Sequence, residues 1–317
     1  METINAALIE AFGEAPRYRT LAAPQAGGHH ELVDVLAVGL HPVTRSIASG
    51  QHYASPGALP FVPGMDGVVR RPDGSLAYVG GPGSATLAER TLIDPDDAVP
   101  LPADIDPAVA AATMNPAMSS WIALHARVPF APGQDVLVLG STGTAGSMAV
   151  KVARHLGAGR VVAAGRSRER LEQNLADGAD DIVVLSPNTD ATAAALAETA
   201  ANVDVALDYL WGKPAELAVR AIVTARTDHA RLLDWVHIGA AAGSTATIDG
   251  AALRSNALRI SGSGFGSIDM RRANLPGLAA AIASGAVAIR PRIASLRDIT
   301  AAWGHRDEPG ERTVIQP

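Results

Sequence analysis

The stretch DVLVLGSTGTAGSMAVKVARHLG, residues 135–157, decides how this chain is read. Four apolar residues, Val136–Leu139, run into three glycines, Gly140, Gly143 and Gly146, and then into residues spaced as an amphipathic helix. A residue without Cβ lets the chain turn sharply off a strand, lets backbone N–H groups approach a pyrophosphate, and lets the next helix pack closely on the sheet. The N-terminus of that helix attracts an anion. Gly140, Ser141, Thr142, Gly143, Thr144, Ala145 and Gly146 are therefore the expected phosphate-binding turn of a dinucleotide site. The spacing is G-x-x-G-x-x-G, which a tight strand-to-helix turn of purely structural purpose can also produce, so the surroundings must decide.

They decide for a nucleotide. Apolar runs recur at Val161–Ala164, Ile182–Leu185, Val203–Leu207, Leu232–Ile238 and, more weakly, Leu258–Ile260. Helical periodicity lies between them at Ser147–Leu156, Arg168–Leu175, Ala191–Ala201 and Pro214–Ala225. This is the rhythm of a doubly wound parallel sheet, an α/β fold with both faces covered. Upstream, residues 17–100 read as short extended segments such as Glu31–Val38, Gly67–Arg70 and Leu76–Val79, broken by Gly and Pro clusters. Helical periodicity then runs from Pro107 to Leu124. After Gly266 the pattern predicts a helix over Ala273–Ser284, an extended piece near Val287–Ile293, a helix to Trp303 and a strand over Arg312–Ile315. These pieces are too few to fold alone and are expected to dock on the first half. The predicted organisation is a nucleotide domain, residues 119–263, inserted into a mostly β substrate domain made of residues 1–118 and 264–317.

Composition narrows the chemistry. With 317 residues and 48% apolar content the chain can bury two cores. It has no cysteine, which excludes disulfides, thiolate nucleophiles, iron–sulfur clusters and every cysteine-containing zinc site. The net charge of −6 and the absence of a basic block argue against nucleic acid or an anionic membrane as partner. The N-terminal METINAALIEAF has no basic stretch before a long apolar run, and no segment offers about 18 uninterrupted apolar residues, so a cytoplasmic location is expected.

The end of the second strand selects the cofactor. An NAD site places Asp or Glu there to bind the adenosine ribose. This chain has Gly165, followed by Arg166, Ser167, Arg168 and Arg170. No carboxylate repels a 2′-phosphate, and guanidinium groups with a hydroxyl are available to bind one, so NADP(H) is the predicted cofactor. Ser167 also suits a helix N-cap, a role compatible with phosphate binding.

Several segments together resemble the medium-chain dehydrogenase/reductase superfamily, in its zinc-free quinone oxidoreductase branch. They are HPVTRSIASGQHY (41–53), LPFVPGMDGVV (59–69), MNPAMSSWIAL (114–124), the glycine turn, VDVALDYLWG (203–212) and LRISGSGFGS (258–267). The resemblance implies a Rossmann sheet inserted into a GroES-like domain, and a homodimer joined through the sixth strands. The catalytic-metal positions of zinc-dependent members fall near Thr44, Met65 and Asn115, with Asp66 next to the second, and the cysteine lobe of the structural metal is missing. No metal is expected, because Thr, Met and Asn do not make a zinc trio.

Without a metal, hydride addition to a simple ketone leaves a localised alkoxide unstabilised, whereas a quinone or enone spreads the charge over a conjugated system. The predicted activity is therefore hydride transfer from NADPH to a small-molecule electron acceptor, a quinone or activated alkene. Two alternatives remain open: a non-catalytic NADPH-binding sensor or scaffold, and a zinc-free alcohol or carbonyl reductase. The resemblance makes Tyr53, Thr44 and Asn115 the candidate catalytic residues, with loop packing as the plainer role for Tyr53 and hydrogen bonding to backbone groups as the plainer role for Thr44 and Asn115. It also places Gly239 and Ala240, after the fifth strand, and Gly264 and Phe265, after the sixth, beside the nicotinamide. Arg312 and Arg271 are weaker phosphate candidates. Tyr209 and Lys213 match the YxxxK of short-chain dehydrogenases, but the tyrosine closes a strand and the glycine turn is mid-chain, so the match reads as coincidence. His29, His30, His41 and His52 show no metal-binding spacing and read as loop residues.

Overall fold

Alternating burial along β3 (Glu31–Gly39), with Val33, Val35 and Ala37 turned inward, marks the sheet of the first folding unit. In the computed structural model, which describes residues 2–52, 54–81, 83–264, 267–268 and 272–317, two units are separable. One comprises Met1–Asn115 with Leu275–Pro317, the other Pro116–Asn274.

The first unit begins with an antiparallel ribbon of β1 (Thr3–Leu8) and β2 (Arg17–Ala22). After β3 comes α1 (Pro42–Ala48), then β4 (Asp66–Arg70), β5 (Leu76–Gly80), β6 (Arg90–Ile93), β7 (Val99–Pro100) and α2 (Pro107–Ile122), within which the division between the units falls. The unit is completed much later by α8 (Leu275–Ala283), β14 (Arg290–Ser295), α9 (Ile299–Gly304) and β15 (Glu311–Gln316). Its sheet runs β14-β15-β3-β4-β5-β7, with β6 also on β3. The predicted docking of the C-terminal pieces is found: β15 lies antiparallel to β3 through Val314↔Gly39 and Ile315↔Val38. Val35, Val69, Val79, Leu87, Ile299 and Ile315 share one core.

The second unit alternates β8 (Val136–Leu139), α3 (Thr144–His155), β9 (Val161–Gly165), α4 (Arg168–Ala176), β10 (Asp181–Val184), α5 (Thr189–Ala200), β11 (Val205–Asp208), α6 (Gly212–Ala225), β12 (Leu233–His237), α7 (Gly250–Ser255) and β13 (Leu258–Gly262). The strands are parallel in the order β10-β9-β8-β11-β12-β13. Every residue of β8 and β9 is buried, as a central strand covered on both faces requires. Numbered within the unit the order is 3-2-1-4-5-6, so the sense of winding reverses between β8 and β11. Ligands of such sheets sit in the crevice beyond the strand C-termini at that point.

The helix α1 departs from the extended reading of residues 17–100. Pro42 starts it at the first helical turn, where a missing N–H costs nothing, and seven residues are too few to show a helical period.

Candidate functional site

The glycine turn of the second unit holds glycines of different kinds. At Gly140 the chain takes φ +96°, and a Cβ would lie 3.0 Å from the Leu210 side chain and 3.2 Å from Tyr209 Cβ. Its amide and that of Ser141 both donate to the Ala164 carbonyl, at 2.8 and 3.0 Å, which ties the turn to β9. Gly146 faces the turn so closely that a Cβ would sit 2.2 Å from the Gly140 carbonyl oxygen. At Gly165 a Cβ would be 2.4 Å from Thr142 Cγ2.

Gly143 differs from these three. Its φ of −85° suits any residue, and a Cβ there would meet only the Gly140 oxygen, at an ordinary 3.7 Å. It is the N-cap of α3, no side chain caps that helix, and its first amides have no intrahelical acceptor. The result is an exposed, uncapped helix N-terminus with open space above it, which fits a diphosphate. Thr144 and Ala145 form the first turn of α3 at this opening.

Around the end of β9 the structure brings Gly165, Thr142 and Arg170 together, with Arg170 Nη1 donating to the Thr142 carbonyl at 3.1 Å. Ser167 caps α4, accepting from the Arg170 amide at 3.4 Å. Arg168 pairs with Glu172 on the helix surface. Arg166 is exposed and, among the described residues, has no hydrogen bond or ion pair, so its guanidinium is available to an anion.

Sequence reasoning missed the organiser of the turn after β11. Asp208 is fully buried and accepts from the amides of Leu210 (2.8 Å) and Trp211 (2.9 Å) and from Trp235 Nε1 (3.0 Å). These bonds hold Trp211 at φ +54°, a left-handed conformation unusual for a bulky residue. Burial raises the Asp208 pKa above the ordinary carboxylate value, while the bonds from Trp211, Leu210 and Trp235 oppose the shift. The available signal was an acid closing an otherwise apolar run, VALD. Next in the chain, the Tyr209 hydroxyl lies 3.0 Å from Ser119 Oγ. Burial pushes the Tyr209 phenol up to about 12, with the Ser119 and Ser120 hydroxyls pulling the other way.

Gly239 and Ala240 follow β12 beside this turn. The Gly239 amide donates to the Asp208 carbonyl at 3.1 Å, and a Cβ on Gly239 would lie 3.0 Å from the Tyr209 carbonyl oxygen. Gly264 follows β13, and its amide donates to Ser267 Oγ at 3.2 Å. Phe265 and Arg271 lie outside the described residues.

In the first unit Thr44, Asp66, His41 and Tyr78 are all buried. The Tyr78 hydroxyl donates to Asp66 Oδ2 at 2.7 Å, and His41 Nε2 lies 3.3 Å from the same oxygen, out of line for a hydrogen bond. The Thr44 amide donates to the His41 carbonyl at 3.1 Å, which puts both residues at the start of α1. Burial and the Asp66 charge hold the Tyr78 pKa well above its ordinary value, and a hydrogen bond from the Asn115 side chain opposes them. Asp66, Tyr78, His41 and Asn115 thus form one polar cluster. Among the described residues, Thr44 Oγ1, Asp66 Oδ1 and His41 Nε2 are buried without a hydrogen-bond partner. Tyr53 lies outside the described residues.

Arg312 corrects an expectation. It is buried rather than free for phosphate, bonded to Asp307 at 3.1 Å and to the Leu40 carbonyl, because β15 is an inner strand of its sheet.

The family model described as zinc-binding dehydrogenase matches residues 145–284. The "Probable NADPH-dependent quinone reductase tdiC" of Emericella nidulans is 30% identical over 360 aligned positions, covering 99% of this chain and 100% of that protein. The Arabidopsis thaliana "NADPH-dependent alkenal/one oxidoreductase, chloroplastic" is 30% identical over 178 positions, 50% of this chain and 46% of that protein. Among solved structures, the quinone oxidoreductase from Thermus thermophilus, described with its NADPH complex, aligns with a TM-score of 0.76 at 25% identity, covering 99% of this chain and 100% of that one. A mycobacterial quinone oxidoreductase aligns with a TM-score of 0.84 at 21% identity, over 99% of this chain and 100% of that one, a likeness of fold.

Proposed function

The chain belongs to the medium-chain dehydrogenase/reductase superfamily, in its quinone oxidoreductase-like branch, and from that premise we propose that it transfers hydride from NADPH to a quinone or an activated alkene. The observation that carries the reading is the open helix N-terminus at Gly143, joined to a second-strand end with no carboxylate and a free Arg166. NADPH supplies the hydride when bound. The residues of this chain hold it: the amides around Gly140–Gly146 take the diphosphate, and Arg166, Ser167 and Arg170 take the 2′-phosphate. Gly239, Ala240, Gly264 and Phe265 complete the nicotinamide side of this reading.

The name of the matching family model raises zinc, and the residues do not fit it. Near the positions that the resemblance gives to metal ligands stand the Thr44 hydroxyl, a buried thioether at Met65 and an amide at Asn115, whereas zinc requires thiolate, imidazole or carboxylate. A conjugated acceptor suits such a site, since the negative charge delivered with the hydride is delocalised and needs only hydrogen-bond donors on its oxygen. Thr44, Asn115 and Tyr53 are the polar groups assigned to that task. A cytoplasmic homodimer completes the proposal, with β13, the last strand of its sheet, offering an edge to a second copy.

The test mixes purified protein and NADPH with a panel of quinones and enones and follows the absorbance of the reduced nicotinamide, alongside metal analysis. Oxidation of NADPH by at least one conjugated acceptor in metal-free protein is the expected result. Tight NADPH binding with no turnover of any acceptor favours a sensor instead, and stoichiometric zinc defeats the metal-free assignment.

A further inference from the structure

We propose that the Tyr209 hydroxyl, held in place by Ser119, is a direct hydrogen-bonding contact for the nicotinamide half of NADPH. The inference rests on the reading that NADPH binds the second unit, and it adds a residue that the short-chain-like YxxxK match had set aside.

The location follows from three contacts inside that unit. The Tyr209 amide donates to the Leu139 carbonyl at 3.0 Å, which fixes the residue at the mouth of β8 and β11, where the winding reverses. On one side Tyr209 Cβ stands 3.2 Å from the place a Gly140 Cβ would occupy, directly against the phosphate turn. On the other its carbonyl accepts from the Ala241 amide at 3.2 Å and crowds Gly239. These contacts put Tyr209 between the ends of β8 and β12, beside the turn that takes the diphosphate in this reading. The part of a dinucleotide that continues past the diphosphate in this crevice is the ribose and nicotinamide.

The phenol of Tyr209 is hydrogen-bonded within the second unit. The Ser119 hydroxyl has the Pro116 carbonyl as an acceptor at 3.2 Å, and in its 3.0 Å pair with the Tyr209 hydroxyl either oxygen can be the donor. Ser120 gives its hydrogen to the Ala117 carbonyl at 3.1 Å. With one hydrogen and two lone pairs, the phenol keeps a hydrogen-bonding position beyond the two serine hydroxyls, open to a further partner. The nicotinamide half carries suitable donors in its carboxamide N–H groups and ribose hydroxyls. Tyr209 touches the cofactor in this scheme, and Ser119 is a positioning residue.

Calorimetric titration separates this proposal from the reading beneath it by using two ligands, NADPH and 2′-phospho-ADP, which lacks both the nicotinamide and its ribose. Tyr209→Phe is expected to weaken NADPH about five- to twentyfold and to leave the fragment within about twofold, the loss expected for one hydrogen bond. Ser119→Ala should produce a smaller loss for NADPH alone, Ser119→Thr should restore it, and the double variant should be no worse than Tyr209→Phe. Unchanged NADPH affinity in Tyr209→Phe overturns the proposal, as does a parallel loss for both ligands, which would mean a distorted phosphate turn. If Tyr209→Phe does not fold, the Ser119 pair decides by the same criteria. Wild-type protein that binds neither ligand overturns the cofactor reading and this inference with it.

Discussion

Gly143→Ala and Gly146→Ala make the same chemical change three residues apart, and the structure predicts opposite consequences. At Gly143 the backbone already suits alanine, so the loss of unfolded-state freedom stabilises by about 0.4–1 kcal/mol. The poorer N-cap offsets this by about 0.5–1 kcal/mol. Net stability should stay within about 0.5 kcal/mol of wild type, because the new methyl meets one atom, at 3.7 Å. That methyl stands in the open space above α3, however, and a diphosphate placed there has to retreat from the helix amides. NADPH affinity should fall at least about tenfold, about 1.4 kcal/mol or more. At Gly146 the methyl would be 2.2 Å from the Gly140 oxygen and 2.7 Å from Ser141 Cα, both backbone atoms. Overpacking of that kind costs about 1–3 kcal/mol, which lowers the melting temperature by roughly 2–10 °C. Thermal denaturation and NADPH titration on the two variants supply all four numbers. A well-folded Gly143→Ala protein with wild-type affinity would refute the assignment of that space to the cofactor, and a Gly146→Ala protein as stable as wild type would refute the packing argument.

Arg166→Ala should weaken NADPH about ten- to a hundredfold while leaving NADH nearly unchanged, since the guanidinium is free for the 2′-phosphate alone; equal losses in a competitive titration would remove it from that role. Asp208→Ala strips acceptors from three buried or turn-forming N–H groups and should cost about 2–4 kcal/mol in urea unfolding, with little effect expected only if the turn does not depend on those bonds. Burial raises the folded pKa of Asp208 above the unfolded value of 3.8, so its stabilising contribution is complete below that value and declines as pH rises through the folded pKa. The melting-temperature advantage of wild type over Asp208→Asn should therefore shrink as pH rises above about 4, and growth of that gap would contradict the sign.

The parallel sheet was legible because strands buried on both faces must be continuously apolar. Val136–Leu139 reads as VLVL and forms β8 residue for residue, and the remaining strands of that sheet overlap their predicted spans with ends displaced by one or two residues. The glycine turn was legible as a pattern, but not the division of labour within it: that a Gly146 Cβ would clash with the Gly140 carbonyl at 2.2 Å while a Gly143 Cβ would lie an ordinary 3.7 Å from it is a matter of distances. The short α1 was hidden because seven residues carry no period. The polar cluster was only partly visible. Thr44 and Asn115 came from family resemblance, whereas Tyr78 and His41 reach Asp66 across strand and helix boundaries that no local window contains. Asp208 and Ser119 were missed for the same reason, since their partners are brought to them by the fold.

The pairing of β15 with β3 also sets a timetable. Residues 116–274 are contiguous and can close their own sheet as soon as they leave the ribosome, whereas β3 waits for a neighbour made after them. At about 5–20 residues per second that wait is roughly 14–55 s, during which one edge of β3 has backbone groups without partners. Stalled nascent chains that have exposed residues up to about 274 but not β15 should accordingly show a protease-resistant inserted unit beside a susceptible N-terminal segment. Equal resistance of both parts would show that the early strands find shelter without β15.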